Sequence, residues 1–247
     1  MRSKTGLNLT KNYSFNFSLP KRRKKLIKFI VIHYTGMKNE SEAIKRLKDH
    51  RAKVSAHYFI KNSGHILNMV PNLYEAWHAG RSEWKNFKSL NRYSIGIEIN
   101  NPGHDYGYKS FSSKQIFSLQ KLLKILMKNY RIKPENVLGH SDIAPNRKKD
   151  PGEKFPWKIL SKKNLCKWHD LNLKDIKKYR NIDLPQKEKK IFLNSLYKIG
   201  YSKNKDISLK KSNEYIVIAF QRRFRQSLVN GIIDKECFLI IKNLLKN

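Results

Sequence analysis

The stretch Leu138–Trp157, LGHSDIAPNRKKDPGEKFPW, decides how the rest of the chain is read. Pro145, Pro151 and the glycines at 139 and 152 interrupt it, and such punctuation excludes one continuous helix or strand. The segment reads as a shaped loop that carries His140 near its start and Asp150 ten residues later. Loops that present His, Asp and Lys on a rigid scaffold are where binding and catalysis concentrate.

Upstream of the loop, PENVLGH forms a short strand that delivers His140. Before it, SSKQIFSLQKLLKILMKNY reads as a helix, with Ser112 and Gln115 in a capping-box pattern and an apolar stripe of Ile116, Leu119, Leu122, Leu123 and Leu126. SIGIEIN (94–100) reads as a strand with Ile95, Ile97 and Ile99 on one face and Glu98 on the other. SAHYFIKNSGHILNMV alternates around Asn62-Ser63-Gly64 and predicts a hairpin. SEAIKRLKDH predicts a short helix capped by Ser41. KFIVIHYT contains a β-branched run fit for a buried strand that ends at His33. Strands and helices therefore interleave while the hairpin breaks a strict parallel repeat, so the expected class is α/β, a mixed central sheet flanked by helices.

Residues 1–27 contain no acidic side chain and include KRRKK (21–25), and they read as a basic, irregular arm. Downstream, residues 166–188 are charged and Pro185-terminated and read as a linker; residues 189–247 offer three short amphipathic pieces of small-bundle size.

The 247 residues suffice for one medium domain plus a small one, and 39% hydrophobic content can build a core despite 29% charge. A net charge of +34 draws polyanions: nucleic acid, an anionic membrane or an anionic wall polymer. Lysines solvated on every face of a Lys-, Asn- and Ile-rich chain give the same total. The charge is dispersed, and no basic, aromatic-lined stripe marks a nucleic-acid groove, so no nucleic-acid partner is expected. Cys166 and Cys237 are too far apart for a zinc knuckle and read as spare thiols. No transmembrane run or secretory leader is evident in the sequence as given, which reads as a monomer of cytoplasmic type.

Catalytic metal sites typically use three protein ligands and leave one position open, and two imidazoles with one carboxylate suit zinc. His33, His140 and Asp150 are available for this, although spacing alone leaves chance as the simpler account. The ordered set IVIHYT, SAHYFI, AWHAG, SIGIEIN and GHSDIAPNRKKDPG resembles the zinc-dependent N-acetylmuramoyl-L-alanine amidases, over about Phe29 to Trp157. The resemblance implies an amidase domain at 28–165 with one catalytic Zn2+ on His33, His140 and Asp150. It also implies Glu98 as the residue assisting water, Lys148 beside the scissile carbonyl, and a cleft lined by Tyr34, Trp77, His78 and Ala79. Lys149 is Lys148's rival, and the residues alone leave that choice open. His57 reads as structural support, and His50, His65, His104 and His169 as surface or packing. The implied reaction is hydrolysis of the bond from muramic acid, or its 1,6-anhydro form, to L-alanine in peptidoglycan or muropeptides. The alternatives are a recognition protein without activity and, less favoured, a basic nucleic-acid binder. LNSLYKIGY, AFQRRF and NGIID resemble a three-helix peptidoglycan-binding module, which implies wall binding and an envelope location.

Overall fold

The computed structural model describes residues 7–203 and 206–246. Among the described residues are ten strands: β1 (Leu9–Lys11), β2 (Phe17–Ser18), β3 (Phe29–Tyr34), β4 (Tyr58–Ile60), β5 (Ile66–Asn68), β6 (Glu75–Ala76), β7 (Glu83–Trp84), β8 (Phe87–Lys88), β9 (Ser94–Ile99) and β10 (Val137–Gly139). The helices are α1 (Glu40–Lys48), α2 (Ser113–Tyr130), α3 (His140–Ile143), α4 (Trp157–Ser161), α5 (Leu173–Lys177), α6 (Gln186–Ile199), α7 (Leu209–Phe224) and α8 (Lys235–Lys246). The main sheet has the order β1-β5-β4-β9-β3-β10, parallel except between β4 and β5. The mixed α/β class is as expected, and β4–β5 is the anticipated hairpin. Gly64 at its turn has φ +81°, and a Cβ there would lie 2.7 Å from the Lys114 carbonyl, so glycine is required twice over.

Period-two alternation in β3 divides the core. Ile30 and Ile32 join Ile95, Ile97 and Ile99 beneath the α2 stripe of Ile116, Leu119, Leu123 and Leu126. Phe29 and Val31 face the other way, into a cluster shared with Leu138, Ile143, Phe192, Phe220 and Ile241. The C-terminal helices thus cover the second face of the sheet. The Ser112–Gln115 capping box is present, whereas α1 starts one residue before Ser41 and is capped by Asn39, whose side chain accepts from the Glu42 N–H.

Two segments are more ordered than their composition implies. The described part of the arm contributes buried Leu7 and Ile27 to the core, and β1 pairs in parallel with β5. Residues 166–188, expected as a linker, carry α5 and bury Ile176 and Leu184 in the second cluster. Among the described residues no helix is long and apolar enough to cross a membrane.

Candidate active site

The parallel strands β3, β9 and β10 end together, and the position beyond the carboxyl ends of parallel strands is where α/β sheets place ligands. His33 lies near the end of β3, and the register puts it opposite Glu98 of β9. β10 hands the chain directly to His140 at the start of α3. The following loop folds back so that the Ser141 N–H donates to the Asp150 carbonyl at 2.8 Å. His33, His140 and Asp150 are thereby buried in contact, though over a hundred residues separate the first from the others.

His33 Nδ1 lies 2.9 Å from His140 Nδ1 and 2.9 Å from Asp150 Oδ2, and His140 Nδ1 lies 3.1 Å from the same oxygen. The surroundings fix which nitrogens carry hydrogen. The Ser94 hydroxyl donates to the Leu90 carbonyl at 2.6 Å, so its oxygen accepts from His78 Nε2 at 3.2 Å. His78 Nδ1 must then accept from His33 Nε2 at 3.0 Å, which leaves His33 Nδ1 bare. His140 Nε2 donates to the Ala79 carbonyl at 3.1 Å, which leaves its Nδ1 bare as well.

Two bare imidazole nitrogens and a carboxylate oxygen therefore face one another with no donor among them. Such a triangle is repulsive unless a proton or a cation sits within it. Zinc bound at 2.0–2.1 Å in tetrahedral geometry separates its ligands by about 3.3 Å, close to the edges seen here. Outer hydrogen bonds that orient ligating histidines are the usual support of such a site. The donor set fits a divalent metal.

Burial lowers the pKa of His33 to about 4, with the neighbouring His140 adding to the effect. Burial alone would raise Asp150, but positive charge on the adjacent His140 and His33 overcomes it and holds the carboxyl below its ordinary range, so the carboxylate persists wherever a proton or cation sits within the triangle. Glu98 shifts the opposite way: burial, reinforced by Asp150, pushes it well above the usual value, and Lys148 opposes the rise. Its Oε2 is enclosed without a hydrogen-bond partner, as is suited to a group that exchanges a proton with something entering the cleft.

The cleft has a volume of about 350 Å³, and Tyr34, Trp77, His78, Glu98, Lys148 and Lys149 all line it. Lys148 is less exposed than Lys149 and is the one that acts electrostatically on both Glu98 and His33. Ala79 does not line the cleft; it is buried beneath, where its carbonyl orients His140. His57 lies deeper, its Nδ1 accepting from the Gly96 N–H at 3.0 Å, in keeping with a supporting role.

Four contributors escaped the sequence reading. Arg147 donates to the Ala79 carbonyl at 2.6 Å and brackets the His140 support. His104, read as surface or packing, accepts from the Tyr34 hydroxyl at 2.8 Å and contacts Glu153 at 3.1 Å, so it sets the cleft rim. Ser94 anchors the hydrogen-bond chain already described. Gly96 makes room for it: a Cβ there would fall 2.3 Å from the His78 ring. Glycine inside a strand is the one of these signals that sequence could have supplied, since it marks close approach.

Comparison with known proteins agrees with this geometry. Residues 22–153 match the family model described as N-acetylmuramoyl-L-alanine amidase. N-acetylmuramoyl-L-alanine amidase AmiD of Escherichia coli is 34% identical over 232 residues, covering 89% of this chain and 83% of its own. The 1,6-anhydro-N-acetylmuramyl-L-alanine amidase AmpD of Haemophilus influenzae is 38% identical over 109 residues, 44% of this chain and 57% of its own. Among solved structures, E. coli AmiD in complex with anhydro-N-acetylmuramic acid-L-Ala-D-gamma-Glu-L-Lys superposes with a TM-score of 0.77 at 33% identity, covering 93% of this chain and 91% of its own. AmpDh3 of Pseudomonas aeruginosa with an anhydromuramic pentapeptide gives 0.78 at 29% identity, covering 95% and 98%. With a family match over more than half its length and a relative of this identity and coverage, the chain belongs to the N-acetylmuramoyl-L-alanine amidase family.

Proposed function

We propose that this amidase hydrolyses the bond between the lactyl group of N-acetylmuramic acid, or its 1,6-anhydro form, and L-alanine, using one zinc ion held by His33, His140 and Asp150. The observation that carries the reading is the triangle of bare Nδ1, Nδ1 and carboxylate oxygen in the cleft wall. The ligands seen with the E. coli and P. aeruginosa relatives are anhydromuramyl peptides, the chemistry that this cleavage requires.

A metal held there supplies Lewis acidity toward the scissile carbonyl and toward water. Glu98 takes the proton of the attacking water at its enclosed carboxylate and returns it to the leaving alanine nitrogen. Lys148, at the mouth beside Glu98, offsets the charge growing on the carbonyl oxygen. Tyr34, held by His104, and Trp77, whose Nε1 donates to Ser18 Oγ at 2.8 Å, frame the substrate. A recognition protein without activity would be expected to lack a ligand or the acid/base residue, and this chain has all of them.

The test is incubation with an anhydromuramyl tripeptide, followed by mass analysis. The reading expects free tripeptide and anhydromuramic acid, with chelation stopping their release. Binding of intact muropeptide without any cleavage would favour the recognition reading.

A further inference from the structure

The N-terminal segment reverses the ordinary pattern of burial. Ser14 and Asn16 point inward and are buried, whereas Tyr13 is 42%, Phe15 81% and Leu19 75% exposed. Phe15 and Leu19 are the two most exposed large apolar side chains among the described residues. Scattered apolar residues on a surface need no explanation, but three within seven residues, turned outward while Ser14 and Asn16 between them are buried, do.

The anchors are specific. Ser14 Oγ donates to the Leu47 carbonyl at 2.6 Å, and Asn16 Nδ2 donates to the carbonyls of Asp49 and Val54 at 2.9 and 2.8 Å. Ser55 Oγ donates to the Asn16 carbonyl at 2.5 Å. Buried Arg22 directs its guanidinium to the carbonyls of Asn72, Asn91 and Arg92. Between these points β2 pairs with β6. The apolar tips are therefore presented by a fixed loop.

Cations follow the tips in the chain: Lys21, Arg23, Lys24 and Lys25 are exposed, with Lys21 Nζ 5.5 Å from the centre of the Tyr74 ring and Lys24 Nζ 5.7 Å from that of Tyr130, and no acidic residue occurs between 7 and 28. The turn that closes around Asn16 also exposes Arg51 and Lys53. Its acid, Asp49, is engaged by Arg51 at 3.2 Å; the nearby Glu75 is half-buried opposite Ser18 and interacts with Arg22. Phenylalanine and leucine tips accompanied by lysines and arginines match the acyl boundary and phosphates of an anionic bilayer. A sugar polymer instead calls for ring stacking and hydrogen-bond donors, neither of which Leu19 supplies.

We propose that Tyr13–Lys25 is a membrane-docking loop that seats the protein on an anionic lipid surface. The loop is fixed to the cleft wall through Leu47, Val54, Ser55 and Trp77, all of which line the cleft, so docking sets the active site beside the bilayer.

The experiment is cosedimentation of the full chain with vesicles of phosphatidylcholine, with and without phosphatidylglycerol, and with insoluble peptidoglycan in parallel. Binding is expected only to the anionic vesicles. The double variant Phe15→Ser/Leu19→Ser should bind them roughly tenfold less while melting as before, because both side chains are exposed. Each Lys→Gln or Arg→Gln change at 21, 23, 24 or 25 should reduce binding by roughly fivefold at low salt. Unchanged binding of the double variant would reduce the effect to bulk charge and overturn the proposal. So would failure to bind anionic vesicles, or a loss confined to the peptidoglycan arm.

Discussion

Two buried ionic clusters lie two residues apart on α3, and they are built on opposite principles. Around Asp142 every acceptor is satisfied: Oδ1 accepts from the Tyr201 hydroxyl at 2.7 Å, and Oδ2 from the Gly139 N–H at 2.8 Å and Arg223 at 2.6 Å. Arg223 also donates to the Val137 carbonyl at 3.0 Å and lies 4.4 Å from the centre of the Trp157 ring. Around His140 the acceptors converge on one another and Glu98 Oε2 has no partner at all. Arg223 Nε is left without a partner, but the carboxylate at the centre is fully met and paired, and such a centre rigidifies, whereas converging acceptors wait for a ligand. The C-terminal bundle is thus a clasp on the loop that carries the ligands, and stability and chemistry are divided between neighbours on one helical turn.

Removing the clasp entirely should have the largest effect. Deleting residues 189–247 takes away Tyr201, Arg223 and more than half of the second core, uncovering Phe29, Val31, Leu138 and Ile143. The expected result in a thermal scan is loss of the cooperative transition. A fragment that melts like the full chain and still cleaves a soluble muropeptide would make the bundle a separable module, as its resemblance to a wall-binding unit implies.

Arg223→Met is narrower. It leaves Asp142 buried without its cation, and urea denaturation should show about 3–5 kcal/mol of lost stability. Adding Asp142→Asn should return part of that loss. If the single variant is as stable as the parent, the clasp contributes nothing.

Glu98→Gln sharpens the contrast because its two effects are expected to oppose each other. Turnover should fall by roughly 10² or more, as for removal of a general base. Stability should hold or rise, since an unpartnered buried carboxylate is replaced by a neutral amide. Near-normal turnover would move the base role elsewhere.

The smallest effect is on pH. Burial lowers His169 to about 4 from 6.5, so the unfolded chain binds more protons than the folded one between those values. Stability should therefore fall as pH drops through that window, by an amount on the order of 2 kcal/mol at pH 5 for such a group. His33 adds to the same trend in metal-free protein. Denaturation midpoints at pH 7 and pH 5 check the sign; a higher midpoint at pH 5 would contradict it.

The cleft was more legible in the sequence than the clasp. Local pattern places His33 and Glu98 on strands and His140 and Asp150 in a loop bounded by glycine and proline, and the resemblance to the amidases supplies their roles. Asp142 and Arg223 are 81 residues apart, and each reads locally as one more charge in a highly charged chain. Their meaning exists only once α7 is packed on α3. The same holds for β1, three residues long and paired with a strand more than fifty residues away. Ser41 lost its cap role to Asn39 because both residue types cap well and the helix starts at Glu40.

The triangle of His33, His140 and Asp150 should hold a metal ion. Metal analysis of the purified chain, beside His140→Ala prepared identically, tests it most directly. The prediction is one zinc per wild-type chain and essentially none in the variant, with amide hydrolysis following the metal. Zinc retained by His140→Ala, or full hydrolysis by a metal-free preparation, would contradict it.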